Sequence, residues 1–203
     1  YLTGTEYYYD LLPMGFEVRL EDIFHCDIPE LATHIALVLN GYFYRHNRPL
    51  NLPEGVILCG LAEATKKYPE LVKKHYGKYA DEKADSMTAL TTMFAQDGLF
   101  LYIPKNVVIE TPIQIINVGF SLKNVRISMR NLIIAEEGSQ ASLLVCDHTL
   151  CAKSFITNSV TEVFVGENAN IDVVRMQNEN SNSSQISNTY YYQEKNSKTV
   201  NNT

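Results

Sequence analysis

Gly138-Ser139-Gln140-Ala141-Ser142-Leu143-Leu144 and Asn168-Ala169-Asn170-Ile171-Asp172-Val173-Val174 align position for position at a spacing of 30 residues, and Asn106-Val107-Val108-Ile109 stands 32 residues before the first of them. Each is a polar corner followed by alternating strand-like residues, and self-similarity at such a period marks one supersecondary unit used repeatedly. A single coil of this length directs too few apolar side chains inward to offset the ordering of its own backbone. It becomes stable only by pairing with and packing on the coils before and after it, which is how a solenoid is held together. The repeat therefore predicts a mainly β protein, a parallel β-helix or related β-solenoid. A β-sandwich is the alternative if the similarity is accidental.

The repeat begins in DGLFLYIPKNVVIETPIQII, Asp97 to Ile116, where Asp97-Gly98 predicts a turn and Pro104, Asn106 and Pro112 separate short segments rich in Ile, Val, Phe and Tyr. The chain before it has a different grammar. In THIALVLNGYFYRH, Thr33 to His46, an Asn40-Gly41 step lies between two apolar segments, the signature of a type I′ hairpin. Leu61 to Tyr76 predicts two short helices, the second opened by Pro69 and ended near Gly77. Ser86 to Ala95 predicts a third, with Ser86 as its cap and Met87, Leu90, Met93 and Phe94 on its buried face. The expected organisation is a small α/β region over residues 1–95, then β-helix coils over residues 96–203. Asn178 to Gln185 reads as a polar corner between coils, since Ile186 to Gln193 resumes strand composition. The strand-like pattern continues to Thr203, which we read as part of a longer protein whose last coil here awaits its neighbour.

A hydrophobic fraction of 45% and a charged fraction of 20% fit a folded globular chain. The net charge of -6 argues against a general nucleic-acid or anionic-membrane binder, so protein partners are expected. No apolar run approaches the roughly 18 residues needed to span a bilayer, and no basic start followed by an apolar stretch marks a signal peptide. The cysteines Cys26, Cys59, Cys146 and Cys151 form no dense disulfide framework. Together these features predict a cytoplasmic protein.

Reactive side chains are densest in Cys146-Asp147-His148-Thr149-Leu150-Cys151. Thiolate, imidazole and carboxylate all bind zinc or iron, but the spacing matches no standard metal motif, and a cysteine continuing a strand is commonly a small buried apolar group. Lys66-Lys67 and Lys73-Lys74 flank helical apolar residues and read as a solvated face. Tyr7 to Tyr9 and Tyr190 to Tyr192 lack basic neighbours and read as packing residues. Glu136-Glu137 and Glu167 recur at one corner of the repeat, without the second acid that glycoside hydrolysis needs. His25, His34, His46 and His75 share no motif. There is no GxSxG elbow, HExxH pair or phosphate-cradling glycine loop.

The segments LPEGVILCGLAEATKKYPELVKKHYGKYA (Leu52 to Ala80), FAQDGLFLYIPKNVVIETPIQIINV (Phe94 to Val118) and LIIAEEGSQASLLVCDH (Leu132 to His148) resemble SufD, one of the two related β-helix subunit types of the SufBCD iron–sulfur cluster assembly complex. The resemblance runs from about Asp22 to Arg175 and is most specific in the order LPEGV, helical insert, DGLFLYIPKNV. It implies a right-handed parallel β-helix that pairs with a SufB-type subunit, docks onto a SufC-type ATPase, and acts as a scaffold rather than an enzyme. The iron–sulfur cluster would be a transient occupant of the complex, and participation of a flavin is left open. A homodimer is the other assembly considered, without nucleic acid or membrane.

The family's ATPase-docking helices and its late histidine fall beyond the residues matched, so those roles attach to no residue of this sequence. Cys146 is the one carry-over: it stands 16 residues before Glu162 in a strand reading VTE, as a SufB cysteine does before the glutamate of VVE. Where that cysteine is followed by Thr-Ala-Pro, Asp147-His148-Thr149 follows here. The resemblance thus makes Cys146 a candidate to accept sulfur or help hold a nascent cluster. The alternative function is a carbohydrate-active β-helix, for which the matched outward positions, Ser142 and Asp172, supply little. A third is a purely structural oligomerisation module.

Overall fold

A computed structural model of the protein describes residues 32–45, 50–150 and 153–203. Eleven strands lie among these residues: β1 (His34–Leu39), β2 (Tyr42–Tyr44), β3 (Ile57–Gly60), β4 (Leu99–Ile103), β5 (Val108–Gly119), β6 (Val125–Ala135), β7 (Gln140–Thr149), β8 (Phe155–Val165), β9 (Asn170–Asn178), β10 (Ser183–Gln193) and β11 (Lys198–Asn202). Between β3 and β4 come three helices, α1 (Leu61–Lys67), α2 (Pro69–His75) and α3 (Ser86–Phe94).

The strands form two sheets, sheet A in the order β10-β8-β6-β4-β3 and sheet B in the order β11-β9-β7-β5-β1-β2. From β4 onward successive strands alternate between the sheets, and all neighbours within each sheet are parallel. The fold is therefore a β-solenoid preceded by a small α/β region, as the repeat predicts. The predicted spacing is the register itself: Gln140 pairs with Asn170 and Val125 with Phe155, while Gln140 pairs with Val108 one coil earlier.

The corners explain why the repeat is visible in the sequence. Pro104–Val107, Glu136–Ser139, Gly166–Ala169 and Glu194–Ser197 each close a turn, the fourth N–H donating to the first carbonyl at 3.0–3.3 Å. The third residues, Asn106, Gly138, Asn168 and Asn196, have φ of 59°, 67°, 59° and 56°. Only glycine adopts that left-handed region freely, with asparagine the next best. The corners also stack, because the N–H groups of Asn106, Gly138 and Asn168 donate to the carbonyls of Glu137, Glu167 and Lys195.

The N-terminal hairpin forms as predicted, with Asn40 and Gly41 at φ 49° and 85° between antiparallel β1 and β2. β1 pairs in parallel with β5, and β3 pairs antiparallel with β4, so these strands join the same two sheets. Asp97-Gly98, predicted to turn, does not. Asp97 instead accepts from the N–H groups of Phe43 (3.0 Å) and Ala62 (2.8 Å), and a side chain on Gly98 would place its Cβ 1.8 Å from the Arg130 carbonyl oxygen. Pro112, expected to separate two segments, lies within β5 at a register irregularity between Ile109 and Ile113, which accommodates a residue that has no N–H to donate.

Apolar side chains alternating along the strands meet between the sheets, Leu101, Ile113, Ile133, Leu143, Phe155 and Val163 among them. A second cluster lies outside sheet A, where Leu61, Ala64 and Val72 of α1 and α2 cover Phe100, Leu132, Ile134 and Phe164. The helix α3 departs from expectation in two ways. Its cap is Asp85, which accepts from the N–H groups of Met87 and Thr88, and its buried residues are Thr88 and Thr91 while Met93 is 73% exposed. The reason is polar: Thr88 meets the Tyr190 hydroxyl at 2.9 Å, Asn188 donates to Asp85, and Asn158 donates to the Met87 carbonyl.

The helical region is fastened to sheet A by Glu162. This carboxylate is fully buried and accepts from the N–H groups of Gly77 (2.8 Å), Tyr79 (2.8 Å) and Ala80 (3.0 Å) and from Arg130 Nη2 (2.6 Å). Arg130, 1% exposed, donates through Nη1 to Thr92 Oγ1 at 2.9 Å and lies 4.7 Å from the Tyr76 ring. Glu162→Ala in the full-length protein is expected to lower the unfolding free energy by about 3–5 kcal/mol, because it strands Arg130 and three backbone donors. Urea titration checks this, and R130M/E162L should lose less than the sum of its two single changes.

His75 gives the fold an acid sensitivity. It is 1% exposed, its Nδ1 is 2.7 Å from the Tyr79 hydroxyl, and its ring lies 4.5 Å from Phe164. Burial, aided by the charge of Lys74, lowers its pKa to about 4. The unfolded imidazole, with pKa near 6.5, takes up a proton that the folded one refuses, so stability is fully present above about pH 6.5 and falls towards pH 4. The expected loss approaches about 1.4 kcal/mol per pH unit within that window. His75→Leu should flatten the profile relative to wild type in denaturant titrations at several pH values.

Candidate functional site

Because successive strand side chains point to opposite faces, β7 divides the cysteine cluster. Asp147 points between the sheets. Cys146 and His148 point outward from sheet B. Cys151 lies outside the described residues, as do Cys26, His25, His46 and Tyr7 to Tyr9. Among the described residues no three His, Cys, Asp or Glu side chains gather as a metal-binding group.

Cys146 is fully buried, flanked in the register by Ile116 on β5 and Met176 on β9. Its sulfur receives a hydrogen bond from Gln114 Nε2 at 3.7 Å, and Gln114 Oε1 accepts from Thr33 Oγ1 at 2.7 Å. The Thr33 bond occupies the amide oxygen and leaves the amide N–H facing the sulfur. The amide N–H thus gives the sulfur a hydrogen-bond donor in otherwise apolar surroundings. The sequence offered no sign of this chain of contacts, since its members lie 32 and 81 residues apart.

Asp147 belongs to a different environment. It is 2% exposed, accepts from Asn117 Nδ2 at 2.8 Å, and pairs with Arg175 Nε at 2.7 Å. Arg175 also donates to Ser187 Oγ at 2.5 Å. Asn117, Arg175 and Ser187 border a cavity of about 470 Å³ between the sheets, where Asn131, Ser159, Thr161 and Gln185 also face inward. The solenoid interior is thus apolar near its first coils and polar further along. Counting apolar inward residues per coil misses that change, although the alternation of β8 and β10 already places Ser159, Thr161, Ser187 and Thr189 inside.

Glu162, used in the sequence only to align Cys146, lies on the outer face of sheet A, across the solenoid from the thiol, and its partners make it structural. Glu137 and Glu167 share one position of the corner turns, and Glu137 accepts from Lys105 at 2.9 Å. Tyr190 and Tyr192 pack outward and Tyr191 inward, with Tyr192 stacked on Phe164 and Tyr79. Ser142 and Asp172 are register partners on the outer face of sheet B. None of the helices is long and apolar enough to cross a membrane, among the described residues.

The architecture defines the class: a two-sheet parallel β-solenoid with a helical insert over one sheet and a buried, hydrogen-bonded cysteine on the other. Residues 2–115 match the SufBD protein N-terminal region, and residues 120–203 match the SufBD core domain of the SUF iron–sulfur cluster assembly system. The chain belongs to the SufBD family. It is 36% identical over 144 residues to the iron–sulfur cluster assembly SufBD family protein ABCI9 of Arabidopsis thaliana, covering 70% of this chain and 30% of that protein. To the iron–sulfur cluster assembly protein SufD of Bacillus subtilis it is 33% identical over 122 residues, covering 58% of this chain and 27% of that protein. The SufBD family protein slr0074 of Synechocystis is 32% identical over 128 residues, covering 62% and 26% respectively. The chain spans less than a third of the length of these relatives.

Proposed function

We propose that this chain is part of a SufD-like scaffold subunit of an iron–sulfur cluster assembly complex, pairing with a SufB-type subunit and a SufC-type ATPase in the cytoplasm. The observation that carries this reading is the match to both SufBD regions, in order, along a chain that folds as a parallel solenoid. The similarity to a protein named SufD in Bacillus subtilis favours the SufD type. The role is that of a non-catalytic scaffold. The cluster is cargo of the complex rather than a resident of this chain.

Within that role the Cys146 thiolate takes the outer sulfur of a donor protein's persulfide, the donor cysteine leaving as its thiolate, or helps hold the nascent cluster. Gln114, held by Thr33, keeps an N–H directed at the sulfur and steadies the charge that a persulfide or cluster-bound thiolate carries.

Anaerobic affinity purification of the full-length product from its own cells tests the assembly role. A SufB-type subunit and an ABC-type ATPase are expected in the preparation, and recovery of a homo-oligomer alone would overturn it. Cys146→Ser in the intact complex should lower cluster yield by roughly tenfold, the scale lost when a partner of a metal site is removed. Unchanged yield would return Cys146 to a packing role.

A further inference from the structure

Residues 81–96 run between two fixed points. Before them, the Glu162 carboxylate holds the N–H groups of Gly77, Tyr79 and Ala80; after them, the Asp97 carboxylate accepts from those of Phe43 and Ala62. Asp81 to Ala84 and Gln96 are exposed, and α3 lies between them.

The footing of α3 differs from that of α1 and α2. Those helices, of seven residues each, bury Leu61, Ala64 and Val72 against Phe100, Leu132, Ile134 and Phe164. In α3, of nine residues, the buried side chains are Thr88 and Thr91, while Met87 and Leu90 are half-buried and Met93 is exposed. Hydrogen bonds hold it to sheet A: Thr88 with Tyr190, Asp85 with Asn188, the Met87 carbonyl with Asn158, and Thr92 with Arg130. Arg126 adds a contact over the Phe94 ring at 4.0 Å, and Glu82 approaches Arg130 at 4.0 Å. Water can replace each hydrogen bond when the helix lifts, so each adds little net stability.

The surface beneath α3 is incompletely satisfied. Ser128 lies on β6 between Arg126 and Arg130, which reach Phe94 and Thr92, and its register partner is Asn158. Ser128, Arg130 and Asn158 are all buried, yet Ser128 Oγ, Arg130 Nε and Asn158 Oδ1 find no hydrogen-bond partner among the described residues. A buried polar atom without a partner costs free energy that water restores on entering. Closing α3 carries that cost and opening relieves it. A lifted segment of nine residues is too short to stay helical in water, so opening means melting.

We propose that α3 is a strap that opens on its own. Residues 81–96 melt away from sheet A and re-form while α1, α2 and the solenoid stay folded, uncovering and covering a polar strip of Ser128, Arg130, Asn158 and Asn188. Helix length predicts the opposite order of stability, because α1 and α2 are the shorter helices. The strap does not depend on the assembly role proposed above.

Hydrogen–deuterium exchange of the full-length protein, read by mass spectrometry, tests this. After correction for intrinsic rates, the α3 amides are expected to exchange at least about tenfold faster than those of α1, α2 and β8. Ser128→Ala removes one unpartnered oxygen and should slow α3 exchange by about threefold. Asn188→Ala removes the bond to Asp85 and should speed it by about tenfold. Neither change should move the exchange of α2 or β8. Protection of α3 equal to that of α1 and α2 would overturn the strap, as would α3 and β8 exchanging together, since the helix would then open only with the whole fold. Unchanged or faster α3 exchange in S128A would overturn it as well, and this comparison stands even if N188A fails to fold.

Discussion

Burying Glu162 removes a carboxylate from water, and the cost is met only because four donors converge on it. Three are consecutive or near-consecutive backbone N–H groups after α2, and the fourth is the Arg130 guanidinium from the neighbouring strand β6. Backbone donors gathered in this way form a concave anion site. The fold fills that site with its own side chain, and so converts an insertion between strands into a fixed layer over sheet A. Arg130 extends the same clamp to α3 through Thr92. The covered apolar face of sheet A depends on it.

Sheet B is organised differently. Its outer face carries a chain of side-chain contacts running diagonally across β1, β5 and β7, from Thr33 through Gln114 to Cys146. Its inner face carries the Asp147–Arg175 pair, of which Arg175 borders the cavity between the sheets. A solenoid tolerates polar groups inside because backbone pairing between coils carries register, and each polar side chain can reach a partner one coil away. Asn131 shows the pattern: its amide oxygen accepts from Leu99 N–H at 2.8 Å, and its amide nitrogen donates to Thr161 Oγ1 at 3.0 Å, linking three coils.

What could be read from the sequence was whatever depends on local chemistry repeated at a fixed interval. The corner residues Gly138 and Asn168 announce left-handed turns, and Asn40-Gly41 announces a hairpin, because few residues adopt positive φ without cost. The face of α3 was misread because hydrophobic periodicity assumes an apolar neighbour, whereas sheet A offers Asn158, Asn188 and Tyr190 there. Glu162 and Arg130 were invisible as a pair, since nothing local marks a carboxylate whose donors lie more than 80 residues away. The division of Cys146 from Asp147 was available in principle from strand parity. It was obscured by reading six adjacent residues as one cluster, when Cys146 to Thr149 continue β7 with alternating faces.

The burial of Cys146 constrains how it can act. A thiolate attacks, or is attacked at, sulfur only when the incoming atom can approach it, and the flanking strands β5 and β9 are hydrogen-bonded to β7 along their lengths. Parting them would break a ladder of backbone bonds whose polar groups find no other partners in the interior. Access to this thiol therefore does not come from parting the strands of the sheet. The paired strands thus fix where the sulfur sits, and the Gln114 N–H, its amide oxygen anchored by Thr33, meets it on the outer face of the sheet.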